Sequence, residues 1–440
     1  MKVGDMIRAV RNRPPPLMKN ASVKGFGQMQ SKIILVIGTY DTKDEELNYI
    51  SSCIRAQGGA VLTMDVSVLG DPTAPTDISK HQVAQAAGSS IALAIASGDE
   101  NKAMQIMAKG AAGLTAQLYA DGQIDAMLAL GGTMGTDLAL DCAQALPMGV
   151  PKYVVSTVSF SPIIPIDRLS PDIQMILWAG GLYGLNSVCK SSLSQAAGAA
   201  LGAARAVEPP KQGRPVIGMT SLGSSCLSYM KRLRDPLEAR GFEVAVFHAT
   251  GMGGMAFEAL ARQGYFAAVM DFALPEISNL MVGSVINAGE DRLRGAGRAS
   301  IPQIVAPGCA DLIDFAGWQD IPPVYAERPF HEHNRLIKSS GLSPDERRAM
   351  IQNTAQRLRE SSAPVHFLMP VEGVEEWDRP GGPAYDPDGL AAMVDEVQKS
   401  ISEPIQLTEV ACHINDQAFV DAALAILDDW IASGVVQAAS

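Results

Sequence analysis

The sequence predicts an α/β protein of two doubly wound lobes whose parallel sheets face a cleft. Three observations carry that reading. Short apolar, β-rich runs alternate with helical stretches along most of the chain, the pattern of parallel sheets covered on both faces. A cluster of proline, glycine and charge, Glu208-Pro209-Pro210-Lys211-Gln212-Gly213-Arg214-Pro215, interrupts the alternation. The two halves also open alike: strand, Ile-Gly, polar loop, helix, glycine, strand. This is a weak echo of duplicated lobes. The domain plan is a basic leader over 1–31, a first lobe over 32–208 and a second lobe over 214–440.

The leader sets Arg8, Arg11, Arg13, Lys19 and Lys24 around Pro14-Pro15-Pro16 and lacks the apolar core of a secretion signal. It reads as a disordered tail or an overlong start. In the first lobe, residues 33–37 are a continuous apolar run, as in a buried parallel strand. A helix over 45–57 closes at Gly58-Gly59. Strands follow at 60–65, 126–130, 153–156 and 175–178. Helices fall at 79–96, 102–120, 137–145 (stopped by Pro147) and 187–207. In the second lobe, strands fall at 215–220, 242–247, 267–271, 303–306, 365–369 and 405–410. Its helices are at 225–240, a short one ending at Gly264, and 416–432.

Composition narrows the function. The chain has 440 residues, enough for two or three domains, and 41 glycines and 27 prolines suit a protein rich in strand–helix turns. A net charge of −12 disfavours nonspecific nucleic-acid binding. An aromatic content of 5% argues against a stacking surface for sugars or bases. Cys53, Cys142, Cys189, Cys226, Cys309 and Cys412 form no CxxC pair and read as reduced cytosolic thiols, most of them small core residues. No apolar run is long enough for a membrane helix, so the expected location is the cytoplasm.

The chemistry concentrates in loops that follow strands. Gly131-Gly132-Thr133-Met134-Gly135-Thr136 joins a buried strand to a helix. Its glycines let backbone N–H groups face a ligand, and the helix N-terminus favours an anion. The spacing is neither a P-loop nor a GxGxxG dinucleotide turn. Gly38, Thr39, Asp41, Thr42 and Lys43 follow the first strand and reach the same rim, because ligands in doubly wound folds sit outside the carboxyl ends of strands. Asp41 and Asp44 read equally well as helix caps. Thr157 and Ser159, and then Gly180 and Gly181, end the next two strands and join this rim. Phosphate is the ligand these loops suit, with Lys43 offsetting its charge. The glycine loop is similar to the GGDGT turn of phosphofructokinases and NAD kinases, but its acidic position is missing. Asp137 or Asp41 is left to hold Mg²⁺ through water.

In the second lobe, Asp271 and Glu276 follow one strand, and Cys309 and Asp311 another. His331, Glu332, His333 and Asn334 lie in a proline-punctuated loop, and His366 starts a strand. Acids, thiols and imidazoles on one rim suit acid–base or metal chemistry, although no third metal ligand is fixed by spacing. Asp311, His333, Asn334 and Glu276 are the catalytic candidates. His331 reads as a surface or structural residue. Cys309 is a nucleophile only if its pKa is depressed, and otherwise a packed thiol. Glu372, Glu375 and Glu376 read as a solvated run over Trp377.

Taken in order, these motifs carry a family resemblance. They are Ile37-Gly38-Thr39-Tyr40-Asp41-Thr42-Lys43, Asp65-Val66-Ser67, Gly131–Thr136, Ser156-Thr157-Val158-Ser159, Gly251-Met252-Gly253-Gly254, Pro307-Gly308-Cys309-Ala310-Asp311 and His333-Asn334. The chain resembles the ATP-binding inhibitory domain family of the tomato mosaic virus resistance protein and its bacterial relatives, from about Lys32 onward. The resemblance implies two Rossmann-like lobes, ATP in the first and a homodimer. It tilts His333 and Asn334 toward function, and the antiviral activity does not carry over. The expectation is a cytosolic ATP-using metabolic enzyme with a second, small polar substrate in the interlobe cleft. The rival is a non-catalytic protein in which ATP closes the lobes and exposes a partner surface.

Overall fold

The computed structural model describes residues 31–208, 213–223, 225–332 and 334–439. Nearly all of the leader and the middle of the linker therefore lie outside the described residues, as does His333.

In the first lobe, β1 (Ile33–Gly38), β2 (Ala60–Asp65), β3 (Ala126–Gly131), β4 (Lys152–Ser156) and β5 (Ile173–Leu177) form one parallel sheet in the order β2-β1-β3-β4-β5. Alternation along the strands feeds two cores. Ile34, Val36 and Leu128 pack under the helices Asp44–Ala56 and Ser187–Ala206, which contribute Leu47, Ile50, Leu193, Ala197 and Ala200. Leu35, Ile37, Met127 and Ala129 face the other way, toward Lys80–Ala86, Glu100–Ala120 and Thr133–Gln144. Both faces are apolar, which is why β1 and β3 read as unbroken apolar runs. The helix after β1 and the helix after β3 thus cover opposite faces, and the chain switches direction between these two adjacent strands.

The second lobe holds a six-stranded parallel sheet. Its strands are β6 (Val216–Ser221), β7 (Glu243–His248), β8 (Ala268–Asp271) and β9 (Gln303–Val305), and later β13 (Val365–Pro370) and β14 (Gln406–Val410). The order is β14-β13-β9-β8-β6-β7. Both lobes are Rossmann-like, as the sequence predicts. Between β9 and β13 the chain adds an antiparallel sheet of β10 (Leu312–Ala316), β11 (His331–Glu332) and β12 (Ile337–Gly341), in the order β10-β12-β11.

Several expected elements differ. The helix expected at 79–96 is two helices, Lys80–Ala86 and Ile91–Ala96. Gly88 takes a φ of +75° between them, and the Ser90 side chain accepts from Leu93 N–H to start the second. The helix expected at 137–145 begins at Thr133. The sequence pattern marks no strand in 312–341 and no helix at Pro344–Arg359 or Pro387–Ser400, all of which the structure contains. Ser343 caps the first of these helices in a capping box and Asp386 caps the second, each followed by proline at the first helical position.

The lobes meet along an open groove of about 1720 Å³. The loop after β4 lines it with Phe160, Ile164 and Ile166; the second lobe contributes Met252, Ala288 and Trp318.

Candidate functional site

At the first rim, the switch between β1 and β3 sets Gly38–Lys43 beside Gly131–Thr136. The Gly38 loop folds on itself: Thr42 and Lys43 N–H both donate to Thr39 O, at 3.3 and 3.0 Å. The Thr39 and Thr42 hydroxyls lie 3.1 Å apart, and Lys43 Nζ donates to Thr42 Oγ1 at 3.2 Å. Asp41 is already engaged, accepting from Gly70 N–H at 3.1 Å. The helix that follows carries Asp44, Glu45 and Glu46 in its first turn. Glu46 accepts from Gly184 N–H at 2.9 Å and Glu45 from Leu185 N–H at 3.3 Å, which ties the Gly180–Gly181 loop to this helix. Three carboxylates neutralise that N-terminus and repel a further anion.

The neighbouring helix is the opposite case. Gly132 is the N-cap of Thr133–Gln144, so no side chain accepts from the first-turn N–H groups, and that turn holds no acid. Thr133 and Met134 are exposed. The two glycines before the helix serve different ends. A Cβ on Gly131 would lie 2.6 Å from Gly135 Cα, so Gly131 lets β3 turn tightly into the helix. A Cβ on Gly132 would meet nothing closer than Thr157 Oγ1 at 3.8 Å, so space is open there.

The other residues expected on this rim divide. Thr157 borders the open space. Thr136 is buried, its hydroxyl 2.6 Å from Ser156 Oγ, and clips the helix to β4. Ser159 is buried against Ile176 O at 3.3 Å. Gly180 and Gly181 make room for the Trp178 and Tyr183 rings, and Trp178 Nε1 donates to Gly181 O at 3.1 Å. Asp137 is ion-paired with Arg168 at 2.7 Å. Among the described residues, no group of three His, Cys, Asp or Glu side chains has metal-binding geometry.

In the second lobe, Glu276 is a structural anchor. It is fully buried, accepts from Gly251 and Gly254 N–H at 2.6 and 3.1 Å, and pairs with Arg292 Nε at 2.6 Å. Arg292, itself buried, also holds Asp271 at 2.5 Å and Glu258 at 3.2 Å. Burial pushes the Glu258 and Glu276 carboxyls up, against the pull of Arg292. Asn334 forms a local turn, its Oδ1 accepting from Leu336 N–H at 2.7 Å. His331 is exposed and its ring lies edge-on to Trp377, with centroids 4.9 Å apart. Cys309 is not an activated thiol. Burial pushes its pKa well up, and its Sγ lies 3.3 Å from Cys226 Sγ in the core.

Asp311 stands out. It is fully buried after β9, and neither carboxyl oxygen has a hydrogen-bond partner. Burial raises its pKa from 3.8 to about 6, with Arg347 opposing. Beside it is a residue the sequence reading assigned to solvent. Glu375 is fully buried after β13, the strand next to β9, and its Oε1 is unpartnered. Burial and then the Asp311 charge raise its pKa from 4.5 to about 9. Three glutamates within five residues resemble a solvated face. The signal that would have found Glu375 is its place just past a buried strand, in a loop opened by Gly373. His413, Asp378 and Asn415, also missed, complete the cluster. His413 Nδ1 accepts from Asn415 N–H at 3.0 Å, so the proton sits on Nε2. That nitrogen faces Glu375 O at 2.8 Å and Asp378 Oδ1 at 2.9 Å.

Comparison with known proteins follows the division into lobes. The model described as "Uncharacterised protein family (UPF0261) N-terminal domain" matches residues 32–209, and that of the C-terminal domain matches 214–431. A UPF0261 protein of Brucella melitensis is 51% identical over 92% of this chain and 96% of its own length. One from Clostridium tetani is 32% identical over 88% and 96%. The ToMV susceptible protein tm-1(GCR26) of Solanum lycopersicum is 27% identical over 90% of this chain and 55% of its own. Matched through both lobes, and more than half identical to a relative over nearly its whole length, the chain belongs to the UPF0261 family.

Proposed function

We propose that the first lobe binds ATP, its phosphates on the turn at Gly131–Thr136, and that the protein is a cytosolic ATP-using metabolic enzyme. The observation that carries this reading is the contrast between two helix N-termini at one switch point. That of Asp44–Ala56 is filled by three carboxylates; that of Thr133–Gln144 is bare, glycine-capped and faces open space. Bare first-turn N–H groups and the helix dipole together suit a phosphate. Thr133, Gly135 and Thr157 border the same space, and Lys43 supplies a cation on the adjoining loop. The adenosine half rests on the resemblance described above, with Met134 offering exposed apolar surface on the rim. When bound, ATP would supply an activated phosphoryl group; the chain's part is to hold it. The groove between the lobes is the space for a second, small polar substrate.

Gly132→Asp tests the site. Gly132 has an ordinary φ of −77° and room for a Cβ, so the variant should fold. Its carboxylate would face the phosphates. Calorimetry should show ATP binding at least tenfold weaker, about 1.4 kcal/mol. Unchanged affinity in a folded variant removes this turn from the site.

A further inference from the structure

A second cavity, of about 330 Å³, shares no lining residue with the interlobe groove. It lies past the carboxyl ends of two neighbouring strands. Glu372 and Asp378 follow β13; His413 and Asp416 follow β14. The helix Pro344–Arg359 adds Arg347, and Asp386 caps the helix Pro387–Ser400. That rim is where doubly wound sheets take ligands. The volume is at the small end of ligand pockets, roughly 300–1,000 Å³.

Most of the charge on this wall is engaged within the protein. Asp378 Oδ1 faces His413 Nε2 at 2.9 Å, and its Oδ2 accepts from Val374 N–H at 2.5 Å. Asp386 accepts from Gly389 N–H and from Arg347 Nη2, both at 3.0 Å. Asp416 accepts from Arg379 Nη2 at 3.0 Å and from His413 N–H at 3.1 Å. Arg347 Nε donates to Leu342 O and Arg379 Nε to Glu376, each at 3.0 Å. Among the described residues, Nη1 of each arginine donates to nothing, and the Glu372 carboxylate has no hydrogen bond or ion pair. A guanidinium carries five N–H donors, so both arginines have capacity to spare. Arg347 is only 3% exposed, so a new partner for its Nη1 has to enter through the cavity. Glu372 is exposed.

The unengaged groups are of both signs, and that selects the ligand. A dianion would meet Glu372 and three further carboxylates. A simple amine would meet two guanidiniums. The acids form no metal-binding group among the described residues. A molecule with one carboxylate and one ammonium answers both signs and adds no net charge. Pro380, Pro387, Leu390 and the Tyr385 ring give the cavity an apolar side. We propose that this cavity binds an α-amino acid with an apolar side chain. Its carboxylate takes the idle N–H groups of Arg347 and Arg379, its ammonium meets Glu372, and its side chain lies against Leu390 and Tyr385. The contact with Arg347 is charge-assisted and shielded from water, which strengthens it. Nucleotide binding in the first lobe is not required.

The test is a thermal melt of the full chain with L-leucine, L-methionine or L-phenylalanine. Each is set against its amide, which keeps the ammonium, and its deaminated acid, which keeps the carboxylate, at equal ionic strength. At least one amino acid should give a concentration-dependent rise in melting temperature that neither of its analogues gives. Glu372→Gln should melt like the wild type without ligand and weaken the apparent affinity at least tenfold. Arg347→Lys keeps a charge beside Asp386 but loses Nη1, and should weaken it as much. Glu372→Gln alone decides if Arg347→Lys does not fold. No shift from any of the three amino acids would overturn the proposal. So would an equal shift from an amide or a deaminated acid, or a shift that survives Glu372→Gln.

Discussion

Asp311 shows how one buried group ties stability to pH. Burial raises its folded-state pKa from 3.8 to about 6, so the folded state favours the protonated form. Its stabilising contribution is then complete below about pH 4 and is lost as pH rises through 6. Glu375, Asp378 and Asp386 oppose ionisation and Arg347 favours it. Asp311→Asn should therefore be more stable than the wild type at pH 8, by about 1–3 kcal/mol, with the gain vanishing near pH 4. Urea unfolding at both values checks this; a gain independent of pH would mean that Asp311 does not titrate there. Arg292 is the converse case. Arg292→Met would leave Asp271, Glu258 and Glu276 buried without their cation, a loss of about 3–5 kcal/mol. Arg348→Met, which breaks an exposed pair with Asp345, should cost under about 1 kcal/mol in the same assay. The sequence singles out Asp311 because it follows a strand end. It placed Glu376 correctly in solvent and Glu375 wrongly there, because neighbours on a loop share composition and not burial. The engagement of Glu276 by Arg292, sixteen residues further on, has no local signature.

At the scale of elements, what was legible depended on periodicity. β1, β3 and the alanine-rich helix Ser187–Ala206 are strongly patterned, and the sequence places each within two residues. The start of Thr133–Gln144 was read four residues late, because Gly-Thr-Met-Gly-Thr looks like loop while Gly135 in fact lies within the helix. That shift matters for the site: it makes Gly132 the cap and turns the loop's N–H groups into a helix N-terminus. Gly131→Ala checks the geometry. The added Cβ would strike backbone at Gly135, which cannot give way as a flexible side chain would. We expect a loss of about 1–3 kcal/mol in chemical denaturation. An unchanged midpoint would contradict the tight β3–helix turn. The antiparallel β10–β12 sheet was not legible, because its segments are short and a proline-punctuated stretch separates the first two.

For the whole molecule, the alternation of strands and helices sufficed to indicate two doubly wound lobes. It could not show how they meet, since the groove is lined by loops such as 160–166 and 283–291, whose sequences carry no period. The first sheet is complete within residues 33–177, and Ser187–Ala206 folds back onto it. A fragment of residues 32–207 should therefore be soluble and melt cooperatively. A fragment that stays unfolded would show that contacts such as Met148 against the second lobe's Phe257 cluster are required. The family resemblance also implies a homodimer, which sedimentation of the full chain would test. Binding of ATP at the bare helix N-terminus of the first lobe is decided by a crystal structure of the full chain soaked with ATP and Mg²⁺. Phosphate density should lie against the N–H groups of Thr133, Met134 and Gly135, bordered by Thr157. Nucleotide density confined to the second lobe or to the interlobe groove, with that turn bare, would contradict it.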